Sequence, residues 1–400
     1  MINPMNESKN NTKRKVLIFC DYYLPGFKAG GPIRSISNII DNLHEDFDFH
    51  VYTSDRDFLM EEPYADIQLG QWKTYQFDSR LYVPAAKNPI KSLIHYVRPN
   101  KYDVFYLNSF FSFKFSIIPI LMLKFRRIDC QRVVVAPRGE FNKGALDIKP
   151  MKKSLFIAFS KMLGLHKKVI WQATNELEKK QIQYLFGGSS NVMMASNLPK
   201  KTGIQDTLNV KSTKEKNNLK LLFVGRVSEI KNIDFTLRCL KQLDGSVQFD
   251  VYGPKEDEQY WSKCKDTVNQ LPSNVKVSFK GAIENSELGS IYPHYHFFIS
   301  PTKGENFGHS IFEALSYGLP VIISDQTPWR DLKSSSIGWD LTIESTQEFK
   351  SVLTYCLEMK NEEYRSMVEQ TIDYVRVYRA ASKEVAATRD LFKNTTQRML

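Results

Sequence analysis

Short apolar runs alternate with amphipathic stretches along almost the whole chain. Residues 16–22, 49–53, 102–108, 132–136, 169–172 and 192–195 are rich in Val, Ile, Phe and Tyr and predict buried strands. Residues 32–43, 111–125, 151–164 and 175–186 carry apolar positions at helical spacing and predict helices between them. The stretch from 55 to 90 follows neither period. A polar segment, LPKKTGIQDTLNVKSTKEKNN at 198–218, then interrupts the rhythm. It restarts with strands expected at 219–225, 247–253, 275–281, 297–301 and 321–324, each followed by a helical stretch, and beyond 345 the chain reads as charged helix.

One strand and one helix in each ~25–30 residues is the rhythm of a doubly wound α/β sheet. The pattern therefore predicts two Rossmann-like domains, residues 1–200 and 219–375, with a helical tail at 376–400 that packs back on the first. Ligands of such sheets lie outside the carboxyl ends of the strands. Two such sheets facing each other put the expected site in the cleft between them.

Composition narrows the class. A hydrophobic fraction of 42% and a charged fraction of 25% over 400 residues are those of a globular protein. Cys20, Cys130, Cys239, Cys264 and Cys356 are scattered, with no C-x-x-C, which argues against a disulfide framework or zinc site and for a reducing, cytoplasmic compartment. Residues 1–15 lack the apolar centre of a signal peptide, and no run is long enough to span a membrane. The net charge of +11 is lopsided. Residues 1–200 hold 29 Lys+Arg against 18 Asp+Glu, and residues 201–400 hold 26 of each. A basic first half points to an anionic partner.

The chemistry concentrates in the second half. In FFISPTKGENFGHSIFEALSYGLPVIISDQTPWRD, residues 297–331, a strand, a glycine-bearing loop and a helix start follow one another. Such a junction offers unpartnered amides to an anion. Asn306, Phe307 and Gly308 supply that backbone, yet Glu305 and Glu313 flank it. Amides for a phosphate beside carboxylates for hydroxyls describe a nucleotide-sugar. Gly225 and Arg226 fall at the end of the 219–225 strand, with Lys231 just before the next helix. Two cations there oppose the positive end of the helix dipole, which makes an anion between them the natural occupant. No G-x-G-x-x-G follows either first strand, against a dinucleotide oxidoreductase, and basic residues are not interleaved with stacking aromatics, against a nucleic-acid binder.

The string G-E-N-F-G-H-S-I-F-E-A-L-S-Y-G-L-P-V-I-I-S, preceded by F-V-G-R-V-x-x-I-K-N, resembles glycosyltransferase family 4, retaining enzymes of the GT-B fold. PRGEFNKGAL at 137–146 is similar to the subset that builds bacterial surface polysaccharides such as O-antigen, capsule or exopolysaccharide. The resemblance implies that Arg226 and Lys231 bind the donor diphosphate, Glu313 the ribose and Glu305 the sugar, with the amides of 306–308 on sugar and phosphate. Arg226, Lys231 and Glu305 would then be catalytic. Gly30 and Gly31 would admit the pyrophosphate close to the first-domain backbone, and Arg138 would face the acceptor side. The co-substrate would be a UDP- or GDP-linked sugar, with no further cofactor and no metal. The acceptor would be a saccharide, free or on an undecaprenyl-type lipid. One departure stands out: many relatives carry a histidine where this chain reads Leu107-Asn108-Ser109. A non-catalytic nucleotide-sugar binder on the same fold is the alternative.

The basic excess has a focus at 143–168, KGALDIKPMKKSLFIAFSKMLGLHKK, where seven lysines accompany Leu155, Phe156, Phe159, Met162 and Leu163. That stretch is expected either to lie on the cytoplasmic face of the inner membrane or to bury its apolar face in the first domain.

Overall fold

Each apolar run expected as a strand falls into one of two sheets, and the central strands are buried on both faces. The computed structural model describes residues 13–146, 150–201, 213–381 and 383–393. The first sheet comprises β1 (Arg14–Phe19), β2 (Phe47–Ser54), β3 (Lys73–Thr74), β4 (Asp78–Val83), β5 (Val104–Leu107), β6 (Arg132–Val135), β7 (Ile170–Ala173) and β8 (Val192–Met194). Their order is β3-β4-β2-β1-β5-β6-β7-β8, and only the β3–β4 pair is antiparallel. Helices α1 (Gly31–Leu43), α2 (Pro89–Tyr96), α3 (Ile118–Lys124), α4 (Lys143–Leu146), α5 (Pro150–Met162) and α6 (Glu176–Phe186) accompany it. Alternation along β1 shows the two-sided burial: Leu17 and Phe19 enter one apolar cluster, Val16 and Ile18 the other.

The second sheet comprises β9 (Asn218–Val224), β10 (Ser246–Tyr252), β11 (Val275–Gly281), β12 (Phe297–Ser300), β13 (Val321–Ser324) and β14 (Gly338–Leu341). It is wholly parallel in the order β11-β10-β9-β12-β13-β14. Helices α7 (Ile233–Leu240), α8 (Glu258–Val268), α9 (Leu288–Ile291), α10 (His309–Ser316), α11 (Thr346–Glu358) and α12 (Asn361–Ala381) cover it. Winding reverses between β9 and β12. That reversal opens a crevice between the loops leaving these two strands, and those loops carry Arg226 and residues 301–308.

The chain crosses between the lobes twice. After α12, whose Val368 and Val375 lie in second-lobe cores, α13 (Glu384–Lys393) seats Leu391 and Phe392 in the first-lobe core. Arg14 and Arg132 donate to the last carbonyls of α13 at 2.7–3.0 Å, where the helix dipole favours cations.

Two local features depart from the sequence expectation. The helix expected over 111–125 opens as a π-helical turn, Phe113–Ile117, before α3. Pro119 has no N–H to return to Phe115, and the preceding turn closes instead with wider bonds such as Ile117 N to Ser112 O at 2.9 Å. The unassigned stretch 55–90 contributes the outer strands β3 and β4. All five cysteines are buried and unpaired. No helix among the described residues is long and apolar enough to cross a membrane.

Candidate active site

The second-lobe part of the site is one continuous loop and its helix. Gly308 caps α10 in the left-handed region, φ 76°, where a Cβ would meet the Ile311 side chain at 2.7 Å. The first amide of α10 to reach a carbonyl within the turn is Phe312, at 3.0 Å from Gly308 O. The amides of 309–311 precede any carbonyl partner in the helix and point toward the cleft end. The loop before them is stitched down: Glu305 N donates to Gln326 O at 3.0 Å, Lys303 N to Ile230 O at 2.7 Å, and Asn232 Nδ2 to Pro301 O at 3.0 Å.

The charged groups are mutually engaged. Lys231 Nζ donates to Glu305 Oε1, with both side chains mostly buried. Arg226 leaves the end of β9, donates to Glu256 Oε1 and lies 5.7 Å from the Phe58 ring of the first lobe. Glu313, in the second turn of α10, accepts from Arg34 Nη1 of α1 at 2.6 Å and has the Tyr292 hydroxyl 3.5 Å from the same oxygen. Burial pushes the Glu313 carboxyl up, against the pull of Arg34 and Lys200.

The first lobe meets this loop at three strand ends. Gly30 and Gly31 begin α1, and a Cβ at Gly31 would come within 4.0 Å of His309. His309 Nε2 lies 2.9 Å from Ser35 Oγ, whose proton goes to Gly31 O at 3.0 Å. The imidazole therefore donates from Nε2 and keeps Nδ1 as an acceptor. Burial, then Arg34 and Arg138, hold its pKa down at about 3, so it is neutral. At the end of β6, Gly139 approaches so closely that a Cβ would sit 2.8 Å from Asn306 Oδ1. At the end of β7, Glu178 Oε1 accepts from Gly139 N at 2.8 Å and from Asn306 Nδ2 at 3.2 Å, while Oε2 accepts from Thr174.

Asn108 and Ser109, at the position where the family resemblance implied a histidine, are both held within the first lobe. Arg138 Nε donates to Asn108 Oδ1 at 2.8 Å, and the same guanidinium also reaches Asn197 and Tyr106. Ser109 Oγ donates to Glu140 Oε1 at 2.7 Å, and Glu140 Oε2 takes the amides of Phe110 and Phe111. Burial raises the Glu140 carboxyl to about 7.

The structure thus brings Gly30, Gly31, Lys231, Glu305, Asn306, Gly308 and Glu313 to one interlobe seam. It places Arg226 beside Glu256 and Arg138 among first-lobe partners. Arg34, Ser35 and Glu178 join the seam without having been singled out. The one signal for Arg34 was its position in the first turn after Gly30-Gly31. Beside Arg34 and Glu313 opens an interlobe cavity of about 520 Å³, also lined by His309, Asn285, Tyr317 and Lys200. Among the described residues no group of three His, Cys, Asp or Glu is placed to hold a metal.

Residues 204–373 match the family model for glycosyl transferases group 1. The matched stretch spans the second-lobe sheet and runs into α12. An uncharacterized 41.2 kDa protein in the cps region of Klebsiella pneumoniae is 24% identical over 242 residues, 58% of this chain and 63% of that protein. Mannosylfructose-phosphate synthase of Agrobacterium fabrum is 26% identical over 112 residues, 26% of this chain and 25% of that protein. The chain thus spans less than two thirds of either relative. Among solved structures, Anabaena Alr3699/HepE in complex with UDP and glucose superposes with a TM-score of 0.66 at 13% identity, over 94% of this chain and 98% of that one. WaaG, a glycosyltransferase involved in lipopolysaccharide biosynthesis, gives 0.62 at 14% identity, over 95% and 99%. At that identity the likeness establishes the fold, two Rossmann-like lobes in the GT-B arrangement.

Proposed function

We propose that this protein transfers a sugar from a nucleotide-sugar to a saccharide acceptor on a lipid carrier, with retention of configuration and without a metal, in surface-polysaccharide synthesis. The observation that carries this reading is the seam at the start of α10, where Gly31 faces His309, Arg34 holds Glu313, and Lys231 is held by Glu305 in the loop before the helix. The match to glycosyl transferases group 1 and the cps-region relative support it.

Under this reading the donor diphosphate lies on the α10 amides and Lys231, with Arg226 turning from Glu256 to join them. Glu313 accepts from the ribose and Glu305 from the sugar. The acceptor hydroxyl attacks the anomeric carbon on the face the diphosphate leaves. Its proton passes to a departing phosphate oxygen, so the acceptor–sugar bond forms as the sugar–phosphate bond breaks. The protein's part is to hold the partners in line and stabilise the charge that develops on the leaving group. Lys231 is bound to Glu305 in the free protein, so donor entry requires the ammonium to exchange a carboxylate for a phosphate.

The lipid surface is met through α5. Met151, Leu155, Phe159 and Met162 form one exposed apolar row, with exposures of 83%, 72%, 42% and 75%, and Lys152 and Lys161 stand beside it. Only the opposite side packs inward, through Ile157 and Phe156. A large apolar row among lysines suits an anionic bilayer. Residues 147–149 of the basic stretch lie outside the described residues.

The test is a thermal-shift panel of UDP-, GDP- and ADP-sugars, since a ligand of the native state raises Tm. It is followed by incubation of the responding donor with a saccharide acceptor in EDTA. We expect one donor to raise Tm and an α-configured donor to give an α-linked product. No shift with any donor would overturn the reading, and a strict metal requirement would overturn its metal-free part. Nucleotide-sugar binding without transfer is the second reading, favoured by Asn108 being held by Arg138 at the position where the family resemblance implied a histidine. Turnover above background rejects it.

A further inference from the structure

Arg34 is the first-lobe side chain that reaches across to Glu313. Its amide closes the first turn of α1 on Gly30 O at 3.2 Å, so its place follows directly from the Gly30-Gly31 turn. Ile33, Ile36, Ile39, Ile40 and Leu43 turn one face of α1 into the first-lobe core. Arg34, Ser37, Asn38 and Asp41, at helical spacing, form a second stripe that lines the interlobe cavity. Arg34 heads that stripe and meets α10.

The guanidinium forks between two elements of the second lobe. Nη1 donates to Glu313 Oε2 of α10 at 2.6 Å, and Nη2 donates to Asn285 Oδ1, in the loop after β11, at 2.5 Å. Nε is buried without a partner. A buried donor left unmade is a cost, so the two Nη contacts are what fix the group there. The two oxygens of Glu313 differ. Oε2 takes Arg34 and has the Tyr292 hydroxyl at 3.5 Å, whereas no donor among the described residues reaches Oε1. One oxygen is committed to the protein and the other is left for a ligand.

Burial works against charge on Glu313, and the groups around it decide how far that goes. Arg34 of α1 is in contact, while Lys200, beyond β8, is exposed and acts from farther out. Tyr292 and Tyr317 bring hydroxyls that burial keeps protonated, and His309, one turn earlier on α10, is neutral. Arg379 of α12 lines the same cavity, 5.5 Å from the Phe312 ring. Asp41 lines it from α1, with Oδ2 on Lys201 N at 3.0 Å, and Arg80 is paired with Asp78 at 2.8 Å. Among the described residues Arg34 is thus the one cation at ion-pair distance from Glu313. A carboxylate buried beside a single cation depends on that cation for its charge.

We infer that Arg34 is the positioning residue for the donor's ribose: from the first lobe it holds Glu313 of the second as a carboxylate, with Oε1 open to the vicinal hydroxyls. The inference rests on the nucleotide-sugar reading above and names what makes its ribose contact work. The lobe that covers Glu313 also brings the cation, so the carboxylate keeps its charge inside the closed seam. Lysine at this position would keep the charge but not the fork, having no second group to reach Asn285.

The experiment measures, by calorimetry on the full chain between pH 6 and 8, the affinity for UDP-glucose, GDP-glucose and ADP-glucose, whose diphosphates do not titrate in that range. In parallel the Glu313 carboxyl is titrated by NMR of protein labelled at the glutamate carboxyl carbon, its signal assigned by its absence from Glu313→Gln. Wild type is compared with Arg34→Gln, Arg34→Met and Arg34→Lys. We expect wild-type affinity to change little with pH. In Arg34→Gln and Arg34→Met it should fall about tenfold or more from pH 8 to pH 6, as loss of a hydrogen bond to a charged acceptor implies. The Glu313 signal of both should titrate at higher pH than in wild type. Arg34→Lys should restore the level profile and the wild-type titration. An affinity lowered equally at every pH would make Arg34 a structural residue only and overturn the inference. So would a Glu313 titration that both neutral variants leave in place. Binding of none of the three sugars by wild type marks failure of the nucleotide-sugar reading, while the titration, which needs no donor, still decides whether Arg34 keeps Glu313 charged. Arg34→Met keeps the test decisive if Arg34→Gln misfolds.

Discussion

Replacing Glu313 by Gln removes one charge and almost no volume at the point where the two lobes are joined. In the free protein Oε2 of Glu313 already holds Arg34 Nη1 at 2.6 Å, which leaves Oε1 to accept from a ribose. At that separation and an effective dielectric of 20 the gross attraction is about 6 kcal/mol, most of it offset by the cost of removing both ions from water. Side-chain exposures of 12% and 25% reduce the net further. The ligand's share is smaller and better defined. A hydrogen bond to a charged acceptor contributes about 1.5–3 kcal/mol, or about 10- to 150-fold in Kd. Glutamine keeps an oxygen, so the expected loss is toward the low end. Calorimetry with the responding donor and its 2′-deoxy counterpart gives the assay. Wild type should lose affinity for the 2′-deoxy donor, and Glu313→Gln should show a clearly smaller difference between the two. Were the variant to bind the ribose donor like wild type, or to keep the full preference for the 2′-hydroxyl, Glu313 would not hold the ribose and the orientation of the nucleotide in the seam would be wrong.

Lys231→Met should lower kcat by about 10²- to 10³-fold, the scale on which a group that stabilises developing charge acts; normal turnover in steady-state assays would remove Lys231 from the chemistry. Glu140→Gln should flatten the pH dependence of stability. The Glu140 carboxyl is raised from 4.5 to about 7, so its contribution is fully present below 4.5 and is lost as pH rises through 7, at most about 3 kcal/mol. Parallel urea-stability profiles for wild type and variant between pH 5 and 8 would contradict this. Changing Lys152, Lys153 and Lys161 to Glu should release the protein from anionic liposomes, each lysine contributing about 1 kcal/mol near such a surface; unchanged co-sedimentation would dismiss α5 as the contact.

The sheets were legible because a strand buried on both faces has to be an apolar run, as at 219–225 and 321–324. The stretch from 55 to 90 was not, since β3 is two exposed residues and β4 mixes Asp78 and Arg80, paired with each other, into its strand. The Phe113–Ile117 turn was hidden for a different reason: periodicity reports which face is apolar, not whether a turn closes with i→i−4 or i→i−5 bonds. The loop from Glu305 to His309 could be read as a unit because its residues are consecutive. Its first-lobe partners are Ser35, Gly139 and Glu178. They come from three strand ends far apart in sequence, and only the register of β1, β6 and β7 sets them side by side.

Helix α13 ties the order of synthesis to the completion of the first lobe. Phe392 packs its ring edge-on against Phe47, Phe49 and Tyr106, and Arg389 clasps Asp46. A ribosome that has finished β8 has therefore made every strand of that lobe but not the two side chains that close its interior. The opening stays uncovered while the entire second lobe is translated and folds. Chains that terminate early would carry a gap lined by aromatic rings, a ready target for chaperones and proteases, so only a chain read through to α13 yields a sealed first lobe.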